Sequence, residues 1–220
     1  MLVKVRLEWK YRSSKGVETV FRSDEMAAAQ GVQIAEDIER TKRVKELLFI
    51  DSYDDSVWTM KEMKAYLKSI ETEPHDITVY FDGGFDVGNR KTGLGCVIYY
   101  SQNGKSYRLR QNAQLDGLVS NNEAEFAALH LCVQELEFME VRNIPVRFSG
   151  DSKIVINGMS GEWPVIETEL VRWADRIEEK ISRMGIQTDY ELIPRKENFE
   201  ADRLATQALK GIEITGTSSI

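Results

Sequence analysis

Four acidic residues hold positions where a carboxylate needs a reason: Asp82, Glu125, Asp151 and Asp202. Asp82 closes the apolar run 77–81 and is followed by Gly83-Gly84. A charge at the end of a strand buried on both faces needs a partner, and two glycines clear side chains from where a ligand backbone would approach. Asp-Gly is equally a common turn pair. Glu125 follows Ser120 and Glu123, which stand in capping-box spacing, and is left without a capping task. Leu129, Cys132 and Leu136 share its side of the helix, so it heads the stripe facing a sheet, where it requires a cation, donors or a salt bridge at the core rim. Asp151 follows the predicted strand 146–149 and precedes a helix from about Lys153, a place that also suits an N-cap. Asp202 lies with Ala205 and Leu209 on the inner stripe of the last helix, where aspartate has low propensity.

The four are more telling together than singly. If strands 77–81 and 146–149 are parallel neighbours, Asp82 and Asp151 leave the sheet at one edge, where clefts of such sheets lie. The helices bearing Glu125 and Asp202 are then expected to cover that edge from one face. Oxygen donors without histidine or cysteine suit a hard cation such as Mg²⁺ or Mn²⁺ rather than zinc.

The elements that must position these acids divide the chain. Alternation over residues 2–12, a turn at Ser13-Ser14-Lys15-Gly16 and a run at 17–21 predict a hairpin. A helix capped by Ser23 follows, with Ala27, Gly31, Ile34 and Ile38 inward. Then come a strand at 46–50 and a helix opened by the Thr59/Glu62 capping box, with Met63, Leu67 and Ile70 inward. This is a small α+β module, ββαβα, over residues 1–72. Residues 71–75 read as a linker. Residues 76–210 form a second unit in which three strands joined by hairpins precede alternating helices and strands, an α/β pattern that predicts a mixed sheet with helices on its faces. Residues 211–220 are expected to be a mobile tail.

Composition sets outer bounds. The 220 residues, 42% hydrophobic and 30% charged, fit a globular chain of one large or two small domains. No apolar run approaches the roughly 20 residues of a membrane span, and no signal peptide is visible, so no membrane partner and a cytoplasmic location are expected. Cys96 and Cys132 lie in apolar runs and read as reduced core residues. Net charge is −7, of which residues 1–74 carry −1 and residues 75–220 carry −6. An acidic total does not exclude a nucleic-acid partner, because bound cations reverse the local field of clustered carboxylates.

The segments Asp-Gly-Gly after a strand, Ser-Asn-Asn-Glu-Ala-Glu-Phe opening a helix, Gly-Asp-Ser-Lys after a strand, and Asn-Phe-Glu-Ala-Asp-Arg-Leu-Ala in a terminal helix resemble ribonuclease H, type 1, over residues 76–209. The resemblance implies a ribonuclease H-like five-stranded mixed sheet flanked by helices and metal-dependent endonucleolytic cleavage of the RNA strand of RNA–DNA hybrids. It makes Asp82, Glu125, Asp151 and Asp202 the ligands of two Mg²⁺ or Mn²⁺ ions and predicts 5′-phosphate and 3′-hydroxyl products. Two cations roughly 4 Å apart activate water and stabilise a leaving oxygen, which is what phosphodiester hydrolysis requires. The resemblance also points to Gly83, Gly84, Asn121, Asn122, Lys153, Arg195, Lys196 and Asn198 as nucleic-acid contacts, with Asn121, Asn122 and the backbone near Gly83 facing 2′-hydroxyls.

Two features depart from the best-known bacterial members. His75 and His130 lie outside the loop before the last helix, where those members carry a histidine, and Arg195, Lys196 or Asn198 are candidates to supply part of its task. No long basic insertion stands between Met139 and Arg183. The N-terminal module does not match the hybrid-binding domain of that family. Lys4, Arg6, Lys10 and Arg12 share the outer side of its first strand and are candidate phosphate contacts, although solvated strand faces often look the same. The alternative function is a non-catalytic hybrid or structured-RNA binder on the same fold. A 3′–5′ exonuclease is disfavoured, because Asp82 is followed by Gly83-Gly84 rather than by Asp-x-Glu spacing.

Overall fold

The computed structural model describes residues 3–220; Leu2, where the first predicted strand begins, and the side chain of Ile70 lie outside the described residues. The chain forms two compact units, Met1–Thr72 and Glu73–Ile220. In the first, β1 (Lys4–Arg12), β2 (Glu18–Arg22), β3 (Met26–Ala27), α1 (Ala28–Arg40), β4 (Val44–Asp51), β5 (Val57–Thr59) and α2 (Met60–Thr72) follow in order. The antiparallel sheet runs β2-β1-β4-β5, with β3 also on β1. Val5 and Leu7 of β1 pack with Phe49, Ala35 and Met63 in the core.

Ser23 does not cap α1. Its hydroxyl accepts the Leu7 N–H at 2.8 Å, and pairing of Met26 and Ala27 with Val5 and Lys4 keeps the chain extended until Ala28. The buried stripe of α1 is therefore Ala28, Gly31 and Ala35, while Ile34 is 43% exposed. The capping box at α2 forms as expected: Glu62 accepts the Thr59 N–H and hydroxyl, both at 2.8 Å, and the Glu62 N–H donates back to the threonine Oγ at 3.3 Å.

The second unit contains β6 (His75–Asp86), β7 (Lys91–Gln102), β8 (Lys105–Asp116), α3 (Asn121–Phe138), β9 (Pro145–Gly150), α4 (Lys153–Met159), α5 (Thr168–Met184), β10 (Gln187–Leu192), a 3₁₀ turn at Arg195–Glu197, α6 (Phe199–Leu209) and β11 (Thr215–Ser219). The sheet is mixed, in the order β10-β9-β6-β7-β8-β11: β6, β9 and β10 are parallel, and the β6–β7–β8–β11 side is antiparallel. Among the described residues, no helix is long and apolar enough to cross a membrane.

Three expectations change. First, β6 does not end at Phe81; β7 holds it extended through Asp82↔Gly95 to Asp86↔Lys91. Second, α3 and α6 lie on opposite faces of the sheet, because alternate residues of a strand point to opposite sides. Cys96 and Ile98 join the core beneath α3 and α5, whereas Val97 packs with Ala201 and Leu204 of α6. Third, residues 211–220 are not a free tail. Buried Asn112 donates to the carbonyls of Leu204 and Ile212 at 3.0 and 2.9 Å and accepts the Ile214 N–H at 2.7 Å, after which Thr215–Ser219 pairs with β8 as a sixth strand.

Both helices sit unusually close to the sheet. A Cβ on Gly83 would stand 2.2 Å from the Ala124 carbonyl oxygen of α3; one on Gly93 or Gly95 would stand 2.1 or 2.2 Å from the Ala205 or Ala201 oxygen of α6. The close approach of α6 is reinforced by Glu200, which accepts from Tyr99 Oη at 2.6 Å and Arg108 Nη1 at 2.8 Å.

Gly95→Ala must push α6 away from β7, so we expect about 1–3 kcal/mol of destabilisation in urea titrations. Gly216→Ala, with open space at its Cβ, should stay within about 0.5 kcal/mol of the parent. Asn112→Ala strands two carbonyls and one N–H; we expect a loss on the order of 2 kcal/mol and faster amide exchange in β11.

Candidate active site

The last parallel pair of β6 and β9 is Tyr80↔Ser149. Two residues further along each chain lie Asp82 and Asp151, so the register brings these acids level where β9 has just ended. Neighbouring strands are about 4.8 Å apart. Asp82 stands opposite Gly95 and so shares its side of the sheet, the side of α6 and Asp202. Glu125 arrives from α3 on the other side and accepts the Gly83 N–H at 3.2 Å. Asp82, Glu125, Asp151 and Asp202 line one cavity of about 160 Å³, together with Gly83, Gly84, Asn121 and Arg195.

Repulsion inside this cavity is only partly answered. Burial, and then the charges of Asp151 and Asp202, push the Asp82 carboxyl up to about 7. Burial, and then Asp82 and Asp151, raise Glu125 to about 9, against the opposing Gly83 N–H. Arg195 Nη2 lies 2.8 Å from Asp202 Oδ1, although the guanidinium is otherwise largely in solvent. Asn198 Nδ2 donates to Asp151 Oδ1 at 2.7 Å and to the Phe81 carbonyl at 2.9 Å. Among the described residues, no three acids close around a single point as a finished metal cage. They form a wall of oxygen donors with two members engaged by Arg195 and Asn198.

Asn198 is the clearest correction to the expected nucleic-acid contacts. It is 1% exposed, and its amide is spent on Phe81 and Asp151. Its backbone carbonyl accepts the Asp202 N–H at 3.1 Å, so it ties the start of α6 to the sheet edge. Gly83 is likewise explained by the passage of α3, not by open space for a ligand. Gly84 and exposed Asn121 border the cavity; Asn122 is half-buried beside it in sequence, and Lys153 and Lys196 are exposed without lining it. Thr206, one turn beyond Asp202, also lines the cavity and was missed, although its four-residue spacing could have found it. His130 packs edge-on against Trp173 at 5.3 Å, and neither histidine reaches the acids.

The basic row on β1 is extensively paired. Lys4 meets Glu25 at 3.1 Å, Arg6 meets Asp55 at 3.0 Å, and Lys10 and Arg12 both meet Glu18, at 3.1 and 3.8 Å. As a track for phosphates it is weaker than its sequence suggests.

Known proteins resemble this chain in sequence and in fold. A family model described as "Reverse transcriptase-like" matches residues 80–208. The protein YpeP of Bacillus subtilis is 39% identical over 198 residues, covering 89% of this chain and 87% of that protein. The bifunctional protein Rv2228c of Mycobacterium tuberculosis is 29% identical over 133 residues, which is 60% of this chain and 35% of that protein. The solved N-terminal RNase H domain of Rv2228c superposes with a TM-score of 0.54 at 25% identity, covering 62% of this chain and 94% of that structure's chain. LC11-RNase H1 in complex with an RNA/DNA hybrid gives 0.53 at 26% identity, over 62% and 98% of the two chains. RNase H1 of Halobacterium salinarum gives 0.51 at 27% identity, over 61% and 98%. With its family match spanning more than half of its length and its second unit built on the same mixed sheet, this chain belongs to the reverse transcriptase-like, RNase H-like family.

Proposed function

We propose that this chain is a divalent-metal-dependent endoribonuclease that cuts the RNA strand of RNA–DNA hybrids and leaves 5′-phosphate and 3′-hydroxyl ends. The observation carrying this reading is the meeting of Asp82, Glu125, Asp151 and Asp202 around one cavity at the end of β9. A structural relative, LC11-RNase H1, is known in complex with an RNA/DNA hybrid, which supports the same substrate class here. The donor set fits a hard cation: it is all carboxylate oxygen, and two of its members are pushed toward the neutral form by burial and then by the neighbouring acids' charges, a repulsion that positive charge would relieve. Asp82, Glu125, Asp151 and Asp202 would hold two Mg²⁺ or Mn²⁺ ions, which when bound supply a water nucleophile and stabilise the leaving oxygen.

The remaining work falls to the chain's own groups. The Gly83 N–H fixes the Glu125 carboxylate, and Asn198 fixes that of Asp151, so neither acid is free to rotate. Arg195, exposed at the cavity mouth and paired with Asp202, would be placed to meet a phosphate oxygen if a cation held Asp202 in its stead. Asn121 at the rim offers an amide to a 2′-hydroxyl, the group that marks RNA. One observation favours a second reading: Arg195 and Asn198 satisfy Asp202 and Asp151 without metal, as a non-catalytic hybrid or structured-RNA binder would require.

Cleavage assays on hybrid, double-stranded RNA, single-stranded RNA and DNA separate the two. We expect internal cuts confined to the RNA strand of the hybrid, abolished by chelator and reduced at least about 100-fold in Asp82→Asn, the scale of losing a key electrostatic element. Metal-independent binding without cleavage would establish the second reading.

The two raised acids also make a pH prediction. Their ordinary values are 3.8 and 4.5, and the fold raises them to about 7 and about 9. The metal-free fold therefore binds more protons than the unfolded chain between about pH 4 and 9. Stability falls as pH rises through that window. Thermal melts of the parent minus those of Asp82→Asn/Glu125→Gln should show this slope, and the stabilisation by added Mn²⁺ should grow with pH as protons stop competing.

A further inference from the structure

The N-terminal unit holds a second concavity, independent of the four acids and of the cleavage reading. Trp9 and Tyr11 of β1 and Phe21 of β2 form its floor, and Ile38 of α1 and Arg43 form its wall; its volume is about 700 Å³, within the range of ligand pockets. It arises because the β1–β2 hairpin runs beyond the cover of α1 and α2. On one side of β1, Val5 and Leu7 are fully buried, but Trp9 and Tyr11 are only half covered. Trp9 and Phe21 stack with centroids 5.6 Å apart and planes inclined by 27°, and Tyr11 stands edge-on to Phe21 at 5.9 Å. Phe21 is 46% exposed.

Arg43, one of the residues lining this groove, brings it a positive charge, and exposed Lys42 precedes it in sequence. Arg40, Lys42, Arg43 and Lys45 fall within six residues. Arg40 is bound to Asp37 and Lys45 to Glu18, but among the described residues no carboxylate pairs with Lys42 or Arg43. Arg43 Nη1 instead donates to Tyr11 Oη at 3.1 Å, which holds the guanidinium at the tyrosine's hydroxyl end. Lys10, Arg12 and Lys45 share the carboxylate of Glu18 on the opposite face of the sheet and take no part in the groove. An apolar peptide would use the rings and leave Lys42 and Arg43 without partners. A duplex would use the cations, but its bases are stacked on one another and offer no free ring face. A single strand uses both.

We propose that this groove binds single-stranded nucleic acid, stacking an unpaired base on the Trp9–Phe21 floor and receiving the adjacent phosphates at Lys42 and Arg43. The test is fluorescence anisotropy with the full chain in chelator, using labelled 12-mers of uridine and of deoxythymidine and a blunt 12-base-pair hybrid, over a series of salt concentrations. Phe21→Leu keeps the apolar packing and removes the ring; single-strand affinity should fall about 10-fold, with the circular dichroism spectrum and melting temperature retained. Lys42→Ala/Arg43→Ala should flatten the salt dependence by about 1.4 in log–log slope, two phosphates' worth. The two 12-mers distinguish RNA from DNA as the strand preferred. Unchanged affinity in Phe21→Leu overturns the proposal, as does hybrid binding with the same Phe21 dependence as the single strands. Loss of an apolar dye, anilinonaphthalene sulfonate, from the groove in Phe21→Leu with oligonucleotide affinity intact would assign the groove to an apolar partner and equally overturn it.

Discussion

Like charges forced together in a low-dielectric place are the constraint around which the second unit is organised. Water would separate four carboxylates; here strand register and helix placement hold them to one cavity, and each nearby polar group answers the resulting field. The Gly83 N–H turns to Glu125 at the level where β9 stops, Asn198 turns to Asp151, and Arg195 turns to Asp202. Asp82 has no such donor among its described hydrogen bonds, and burial, then the charges of Asp151 and Asp202, raise its proton affinity. The fold can hold this tension because its cost is spread over a large core beneath α3 and α5 and a tightly seated α6.

That seating depends on what is missing from three side chains. Gly83 admits the backbone of α3, and Gly93 with Gly95 admits that of α6, from opposite sides of the same strand pair. Two acids borne by helices thereby reach Asp82 within β6 and Asp151 just past the end of β9. The geometry is set by backbone touching backbone, which cannot relax as a flexible side chain would.

Much of this was legible in the residues. The alternation of β1, the capping box at Thr59, the N-cap at Ser120 and the run of strands followed by alternating elements each report a local physical preference, and the structure follows them, although Glu123 reaches back to the Val119 N–H instead of that of Ser120. The inward position of Glu125 could be read because its capping neighbour left it no other task. What could not be read was long-range. Asp82 looked like a strand end because apolar patterning stops there, yet β7 carries the pairing four residues further. The residues of α6 show an inner stripe but not which face of the sheet receives it. Asn198 looked like a surface amide, and only the meeting of Phe81 and Asp151 explains its burial. The cations of β1 lie outward as their spacing demands, but their acidic partners come from distant segments such as Glu25 and Asp55.

The strand Thr215–Ser219 alters what the sheet presents to other molecules. Without it, β8 would offer a long row of open amides and carbonyls beside half-buried apolar side chains such as Leu109, the kind of border on which a foreign strand can grow. With it, that border is a short stretch of threonine, glycine and serine, without large apolar side chains and exposed along its length. Ten residues that contribute nothing to the acidic cavity thus act as a selvage, finishing the weave so that it does not join to a neighbour's.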